Sequence, residues 1–139
     1  MLQDLMHTIE KGDLSVAMIT ACFLRKQYIV LKPLSEKSRY DLVIDRGTGF
    51  ERVQCKTGRL RNGSIVFATC SSTLHHKNGA RKNYKGQIEW FAVYCHELDK
   101  CYLVSVNEVG DAEASLRVEP PKGKQTMNKT IRLAKDYEI

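Results

Sequence analysis

Two polar residues of a β-forming segment, Gln54 and Lys56, have side chains suited to chemistry on a phosphodiester. They stand two apart in the run from Phe50 to Thr57, so in a strand both side chains leave the same face, about 7 Å apart. Cys55 lies between them and is expected to face the other way, into the core. An acid on a neighbouring strand would complete the cluster.

The preceding segment, Tyr40 to Asp45, supplies such an acid. If Arg46 to Gly49 form the connecting turn, Asp45 faces Phe50, and the same register places Asp41 opposite Gln54. Directly opposed residues of an antiparallel pair share a face, with Cβ atoms about 5 Å apart. A slip of one residue would separate them. This register therefore predicts a carboxylate, a carboxamide and an ammonium in one cluster.

Such a cluster suits phosphodiester hydrolysis. Carboxylate and amide oxygens bind hard divalent cations such as Mg²⁺. The cation polarises the phosphate and lowers the pKa of an attacking water, while a lysine orients that water or stabilises negative charge. A Q-x-K pattern by itself arises easily by chance. The alternative to a catalytic cluster is an ordinary cross-strand contact between Asp41 and Lys56 on an exposed sheet face.

One helix and six strands are expected to position these residues. Apolar spacing predicts the helix from about Thr8 to Lys26, capped by Thr8 or Asp13. Asn62-Gly63 between two β-forming runs predicts a hairpin. The predicted strands are Tyr28 to Leu31, Tyr40 to Asp45, Phe50 to Thr57, Ser64 to Cys70, Ile88 to Cys95 and Tyr102 to Val106. This order predicts one α+β or α/β domain, residues 1–139, around a mixed sheet.

Composition is that of an ordinary soluble domain, with 42% hydrophobic and 27% charged residues in a chain of 139. The longest apolar run, Val16 to Leu24, is too short to span a bilayer, and the N-terminus lacks a basic secretory start. We therefore expect a cytoplasmic protein. The five cysteines form no C-x-x-C pair, so free thiols are favoured over a zinc site.

Basic residues are segregated along the chain, whose net charge is +6. No Asp or Glu occurs from Lys56 to Lys85 or from Pro120 to Lys135. A one-signed potential of this kind indicates a polyanion partner, although solvated basic loops are the alternative. A membrane partner is disfavoured, because no basic amphipathic helix is visible.

Candidate nucleic-acid contacts lie at the hairpin tip and in the basic loop of residues 71–86. A β-ribbon of this size fits a major groove, where Arg reads guanine and Asn reads adenine. The two adjacent histidines of the loop lack the spacing of a helical metal pair, so phosphate contact is favoured. The candidate DNA-binding residues are Arg59, Arg61, Asn62, His75, His76, Lys77, Arg81, Lys82 and Lys85.

Two strings, Ser38-Arg39-Tyr40-Asp41-Leu42-Val43-Ile44 and Val53-Gln54-Cys55-Lys56-Thr57-Gly58, resemble the PD-(D/E)XK nuclease motif. More narrowly, the chain resembles the group I intron-encoded homing endonucleases, in which a glutamine can replace the acid of D/E-x-K. The likeness extends over most of the chain, from Lys11-Gly12-Asp13-Leu14 to Ala134-Lys135-Asp136-Tyr137-Glu138.

The resemblance implies a restriction-endonuclease-like core of the type α-β-β-β-α-β, with a central mixed sheet flanked by helices. It also implies double-stranded DNA as substrate, Mg²⁺ as cofactor with Mn²⁺ as a substitute, and a homo-oligomer, either a dimer or a tetramer. In this pattern Asp41 and Gln54 face the metal, the Cys55 carbonyl is a further ligand, and Lys56 is the catalytic lysine.

One position departs from the family pattern. Nucleases of this superfamily often carry a glutamate on the first helix, where this chain has Val16. Glu10 and Asp13 are close in sequence, but we expect the helix to turn them to other faces. Three functions stay open: a sequence-specific homing endonuclease, a structure-specific nuclease such as a junction resolvase, and a DNA-binding module without catalysis.

Overall fold

The computed structural model describes residues 7–71, 82–119 and 131–139. These ranges contain one α-helix, α1 (Thr8–Arg25), and nine strands. The strands are β1 (Ile29–Leu31), β2 (Leu42–Asp45), β3 (Phe50–Arg61), β4 (Ser64–Ala68), β5 (Cys70–Ser71), β6 (Lys82–Asn83), β7 (Trp90–Cys95), β8 (Lys100–Ser105) and β9 (Glu113–Arg117). Short 3₁₀ turns cover Val106–Glu108 and Ala134–Asp136.

The architecture is the expected mixed α+β fold, built around the long strand β3. β2 pairs antiparallel with the first part of β3 and with β1, while β7 runs parallel to β3 on its other side. β8 extends the sheet beyond β7, and β4 and β9 extend it from the far end of β3. β5 and β6 form a separate two-stranded sheet.

Both predicted hairpins are present, and from Leu42 to Asp45 the first follows the predicted register. In the first, Leu42 pairs with Val53 and Asp45 with Phe50. The second turns at Asn62 and Gly63, whose φ angles of 51° and 77° are those of a type I′ turn.

Helix α1 covers one face of the sheet because its apolar residues recur at helical spacing. Ile19 and Phe23 are fully buried against Leu42 and Val53. The N-cap is His7, whose N–H donates to the Glu10 carboxylate at 3.1 Å. The expectation that Thr8 or Asp13 caps the helix is therefore wrong.

The opposite face of the sheet carries a second core. Phe67, Phe91, Val104 and Leu116 are buried there by 98% or more. In the described ranges no α-helix covers this face, since α1 lies on the other one, although the resemblance implied helices flanking the sheet. Residues 72–81, which belong to the basic loop, lie outside the described residues. No helix in the described part of the chain is long and apolar enough to cross a membrane.

Gly58 occupies a point of β3 where no side chain fits. A Cβ at this position would lie 2.6 Å from Ile65 Cγ2 and 2.8 Å from Val93 Cγ1. We expect Gly58→Ala to lower the free energy of unfolding by about 1–3 kcal/mol through overpacking. Urea denaturation measures this change.

Gly12 is the matched control, because a Cβ added there in α1 meets nothing within 4 Å. Gly12→Ala should raise the free energy of unfolding by about 0.5–1 kcal/mol through helix propensity. Equal stability of Gly58→Ala and wild type would contradict the close approach of β4 and β7 at Gly58.

Candidate active site

A gap in strand pairing opens beside the middle of β3. On one side of β3, β2 pairs with residues as far as Val53, and β4 pairs only from Arg59 onward. Among the described strands, none pairs with residues 54–58 on that side, whereas β7 pairs with them on the other. Gln54, Cys55 and Lys56 therefore lie where β2 and β4 diverge.

Asp41 stands at this gap, one residue before β2. Its N–H donates to the carbonyl of Val53, the residue that pairs with Leu42, at 2.9 Å. Its carboxylate Oδ2 then accepts a hydrogen bond from the Cys55 N–H at 2.9 Å. A buried amide must find a partner, and here a side chain supplies it. The bond fixes the acid beside the Gln54 to Lys56 segment.

Burial raises the pKa of Asp41 above its ordinary value, since desolvation disfavours the carboxylate. The hydrogen bond from Cys55 and the positive charges of Lys56 and Lys32 act in the opposite direction, but they are smaller. The carboxylate is thus short of compensating positive charge, and a nearby cation would stabilise it.

Lys56 is held by two groups on the same side of the sheet. Its Nζ donates to the Cys70 carbonyl at 3.3 Å and lies 4.9 Å from the centre of the Tyr84 ring. Burial lowers the pKa of Lys56, while Cys70 and Asp41 oppose that shift. The ammonium is therefore held in place and partly desolvated, conditions that strengthen its attraction to an anion.

Tyr84 joins Lys56 to a second cation, Arg39. The Arg39 guanidinium carbon lies 3.9 Å from the centre of the Tyr84 ring, and Tyr84 is 5% exposed. Arg39 also donates to Gln87 Oε1 at 2.6 Å and to the Asn83 carbonyl at 2.9 Å. Sequence reasoning missed this arrangement, because nothing local in the chain indicates that residues 39, 56 and 84 meet.

Gln54 and Cys55 take opposite faces of β3, as predicted. Cys55 packs in the core under α1, where burial raises the pKa of its thiol, and the charge of Asp41 adds to that shift. Gln54 is half-buried and alternates with Cys55, so it shares the face of Lys56. Cys55 can thus offer a cation its carbonyl oxygen rather than its sulfur.

A cavity of about 860 Å³ adjoins Asp41 and is lined on one side by α1. Asp13, Val16 and Asp41 all line this cavity. Asp13 and Val16 do so together because helix positions three apart lie on one face. The expectation that the helix turns Asp13 away is therefore wrong. Within the described residues, no three His, Cys, Asp or Glu side chains are close enough together to hold a metal ion.

The structure describes some of the candidate DNA-binding residues and not others. Arg59, Arg61 and Asn62 are exposed on the β3–β4 hairpin, and Lys85 is exposed and pairs with Asp111 at 3.5 Å. The backbone of Lys82 lies in β6. His75, His76, Lys77 and Arg81 lie outside the described residues.

Comparisons with known proteins point the same way as the geometry. A family profile described as PD-(D/E)XK endonuclease matches residues 6–139. Among solved structures, the bacterial homing endonuclease I-Ssp6803I aligns with a TM-score of 0.75 and 27% identity, over 96% of this chain and 89% of that one. A search of curated proteins found no match.

Asp41→Asn tests the electrostatics of the gap, because it removes the charge and keeps an acceptor for the Cys55 N–H. Since the folded-state pKa of Asp41 is raised, the wild-type protein loses stability as the pH rises above the ordinary value of 3.8, and the loss is complete above the folded-state pKa. Without divalent cations, the Tm of the variant relative to wild type should therefore increase between acidic and neutral pH. A difference in Tm that is independent of pH would contradict the burial of this charge.

Proposed function

Because the chain belongs to the PD-(D/E)XK endonuclease family and is a DNA endonuclease, we propose that it is a sequence-specific homing endonuclease that hydrolyses double-stranded DNA with Mg²⁺. The observation that carries this proposal is the bond between Asp41 and the Cys55 N–H, beside the anchored Lys56. The likeness to a bacterial homing endonuclease supports intron homing over other nuclease roles.

Asp41, Gln54 and the Cys55 carbonyl are the residues that would hold the cation. They fit Mg²⁺, which takes hard oxygen ligands, needs only one or two carboxylates and keeps several waters. The shortage of positive charge around Asp41 is a second reason, since a cation would compensate it. When bound, the metal supplies a Lewis acid for the phosphate and lowers the pKa of a bound water. Mn²⁺ meets the same requirements.

Lys56 would act on the phosphate itself. Its ammonium, held by the Cys70 carbonyl and the Tyr84 ring, stabilises negative charge that develops on the phosphoryl oxygens and orients the attacking water. Because the group is held before the substrate arrives, little reorganisation is needed during the reaction. Tyr84 and Arg39 are then positioning residues.

DNA binding is assigned to the basic segments. The exposed hairpin with Arg59, Arg61 and Asn62 would enter a major groove. His75, His76, Lys77, Arg81, Lys82 and Lys85 would contact phosphates or bases. We further propose one domain that acts in the cytoplasm. A dimer or tetramer would provide the two active sites that cleavage of both strands requires.

Two other functions make different predictions. A structure-specific nuclease, such as a junction resolvase, would share the arrangement of β2 and β3 and the basic surface. A DNA-binding module without catalysis is favoured by Val16 and Gln54, which occupy two positions that are acidic in many relatives. Within the described residues, the shortage of carboxylates near Asp41 also favours it.

Cleavage assays separate the three functions. With Mg²⁺, the purified protein should cut a linear duplex that carries the intron-insertion sequence of its host, and it should leave a scrambled duplex intact. Chelation of the metal should abolish cutting. Lys56→Ala should slow cleavage by at least about 10²-fold and keep DNA binding.

Cleavage of four-way junctions of any sequence, without cleavage of the linear site, would assign the protein to the structure-specific nucleases. Tight binding of the linear site with no metal-dependent nicking in wild type would leave only the DNA-binding module.

Tyr84→Leu tests the positioning of Lys56. Loss of the ring frees the ammonium, so kcat should fall roughly tenfold or more, with the Kd for DNA little changed. Tyr84→Phe is the control, because it keeps the ring that faces Lys56 and Arg39. Single-turnover cleavage and DNA titrations measure the two effects below the Tm of each variant. If Tyr84→Leu and Tyr84→Phe cleave equally fast, the ring does not position Lys56.

A further inference from the structure

Two free thiols face each other across the interface between α1 and the sheet. Cys22 of α1 and Cys101 of β8 are 79 positions apart in sequence, and their sulfur atoms are 2.9 Å apart. A disulfide bond is about 2.05 Å long, so the sulfurs need to approach by less than one ångström to form one. We propose that Cys22 and Cys101 are a modification site, which a low-molecular-weight disulfide such as oxidised glutathione converts to an intramolecular disulfide.

The two thiols differ in access, and this difference sets their order of reaction. Cys22 is half-buried and lines a cavity of about 230 Å³ together with Arg25, Lys26 and Ile139. Cys101 is 1% exposed, and burial raises the pKa of its thiol. Cys22 is therefore the thiol that an oxidant reaches first.

The cavity beside Cys22 also suits an anionic oxidant. Arg25 and Lys26 are exposed residues at the C-terminal end of α1 and contribute positive charge to the cavity wall. Such charge attracts the carboxylates of oxidised glutathione. The proposed oxidant thus matches the opening in charge as well as in chemistry.

The reaction is two successive thiol–disulfide exchanges. The Cys22 thiolate attacks one sulfur of oxidised glutathione, which forms a mixed disulfide and releases one glutathione thiolate. Cys101 then gives up its proton, attacks Cys22 Sγ and displaces the second glutathione. The two protein thiols lose two electrons and two protons in total, and the oxidant gains them as two glutathione thiols.

The other described cysteines lack this arrangement. The sulfur of Cys70 contacts the Ala112 carbonyl at 3.6 Å, and that of Cys95 contacts the Glu97 carboxylate at 3.4 Å. Cys55 is buried in the core under α1. Oxidation should therefore select Cys22 and Cys101.

A disulfide at this point would join α1 to β8 and close a long loop. Long loops lose much conformational freedom in the unfolded chain when they are closed. The Ile139 N–H donates to the Cys101 carbonyl at 3.0 Å, so Ile139 lies at the same junction. We therefore expect the oxidised protein to unfold at a higher temperature than the reduced protein.

Oxidation of the protein with oxidised glutathione, followed by alkylation under denaturing conditions and mass spectrometry, tests the proposal. Of the five cysteines, two should escape alkylation, and proteolysis should yield one disulfide-linked pair of peptides carrying Cys22 and Cys101. The Tm should rise by about 5 °C or more, and dithiothreitol should reverse both changes.

Cys22→Ala should abolish the linked peptides and the rise in Tm, whereas Cys55→Ala should keep both. Cys101→Ala should stop at the mixed disulfide between Cys22 and glutathione. The proposal is overturned if all five thiols of wild type are still alkylated after the oxidation step. It is also overturned if other cysteines are linked, or if a stable mixed disulfide at Cys22 is the final product. None of these measurements depends on nuclease activity.

Discussion

The hydrogen bond from the Cys55 N–H to the Asp41 carboxylate is the interaction on which the site depends. It forms where the ladder between β2 and β3 stops, so a side chain takes the place of the missing strand partner. The same bond holds an acid beside Lys56 and lets β2 and β4 diverge without an unpaired amide at Cys55. Burial raises the pKa of Asp41 and lowers that of Lys56. Both charged forms therefore cost stability, and a divalent cation and a phosphate would relieve that cost.

These buried charges lie in a sheet that is packed on both faces. Val53 and Phe91 have no exposed surface, and they belong to the cores on opposite sides of the sheet. Where β3 passes between β4 and β7, the side chains of those two strands leave no room for a side chain at Gly58. A strand so tightly held cannot shift its register without burying polar groups or exposing apolar ones. The positions of Gln54 and Lys56 are thus fixed by packing that lies mostly outside the site.

Local chemistry made the hairpins predictable from sequence. The four-residue turn and the Asn62-Gly63 pair each determine a register, and the first brings Asp41 next to the Gln54 to Lys56 segment. The features that the sequence did not predict have a different cause. β9 contains only two buried residues, Ala114 and Leu116, and it is a strand because it pairs with β4. The contact of Tyr84 with Lys56 likewise joins distant segments, and no short pattern encodes it. Asp13 was misplaced by an error in helix geometry, since positions three apart share a face.

Affinity cleavage with Fe²⁺ tests the cation site most directly. Fe²⁺ bound in place of Mg²⁺ generates hydroxyl radicals with ascorbate and peroxide, and the radicals break the nearest backbone. We predict breaks next to Asp41 and within the Gln54 to Lys56 segment, suppressed by excess Mg²⁺ and absent from Asp41→Asn. Breaks confined to other segments, or a pattern unchanged in Asp41→Asn, would contradict cation binding at the gap between β2 and β4.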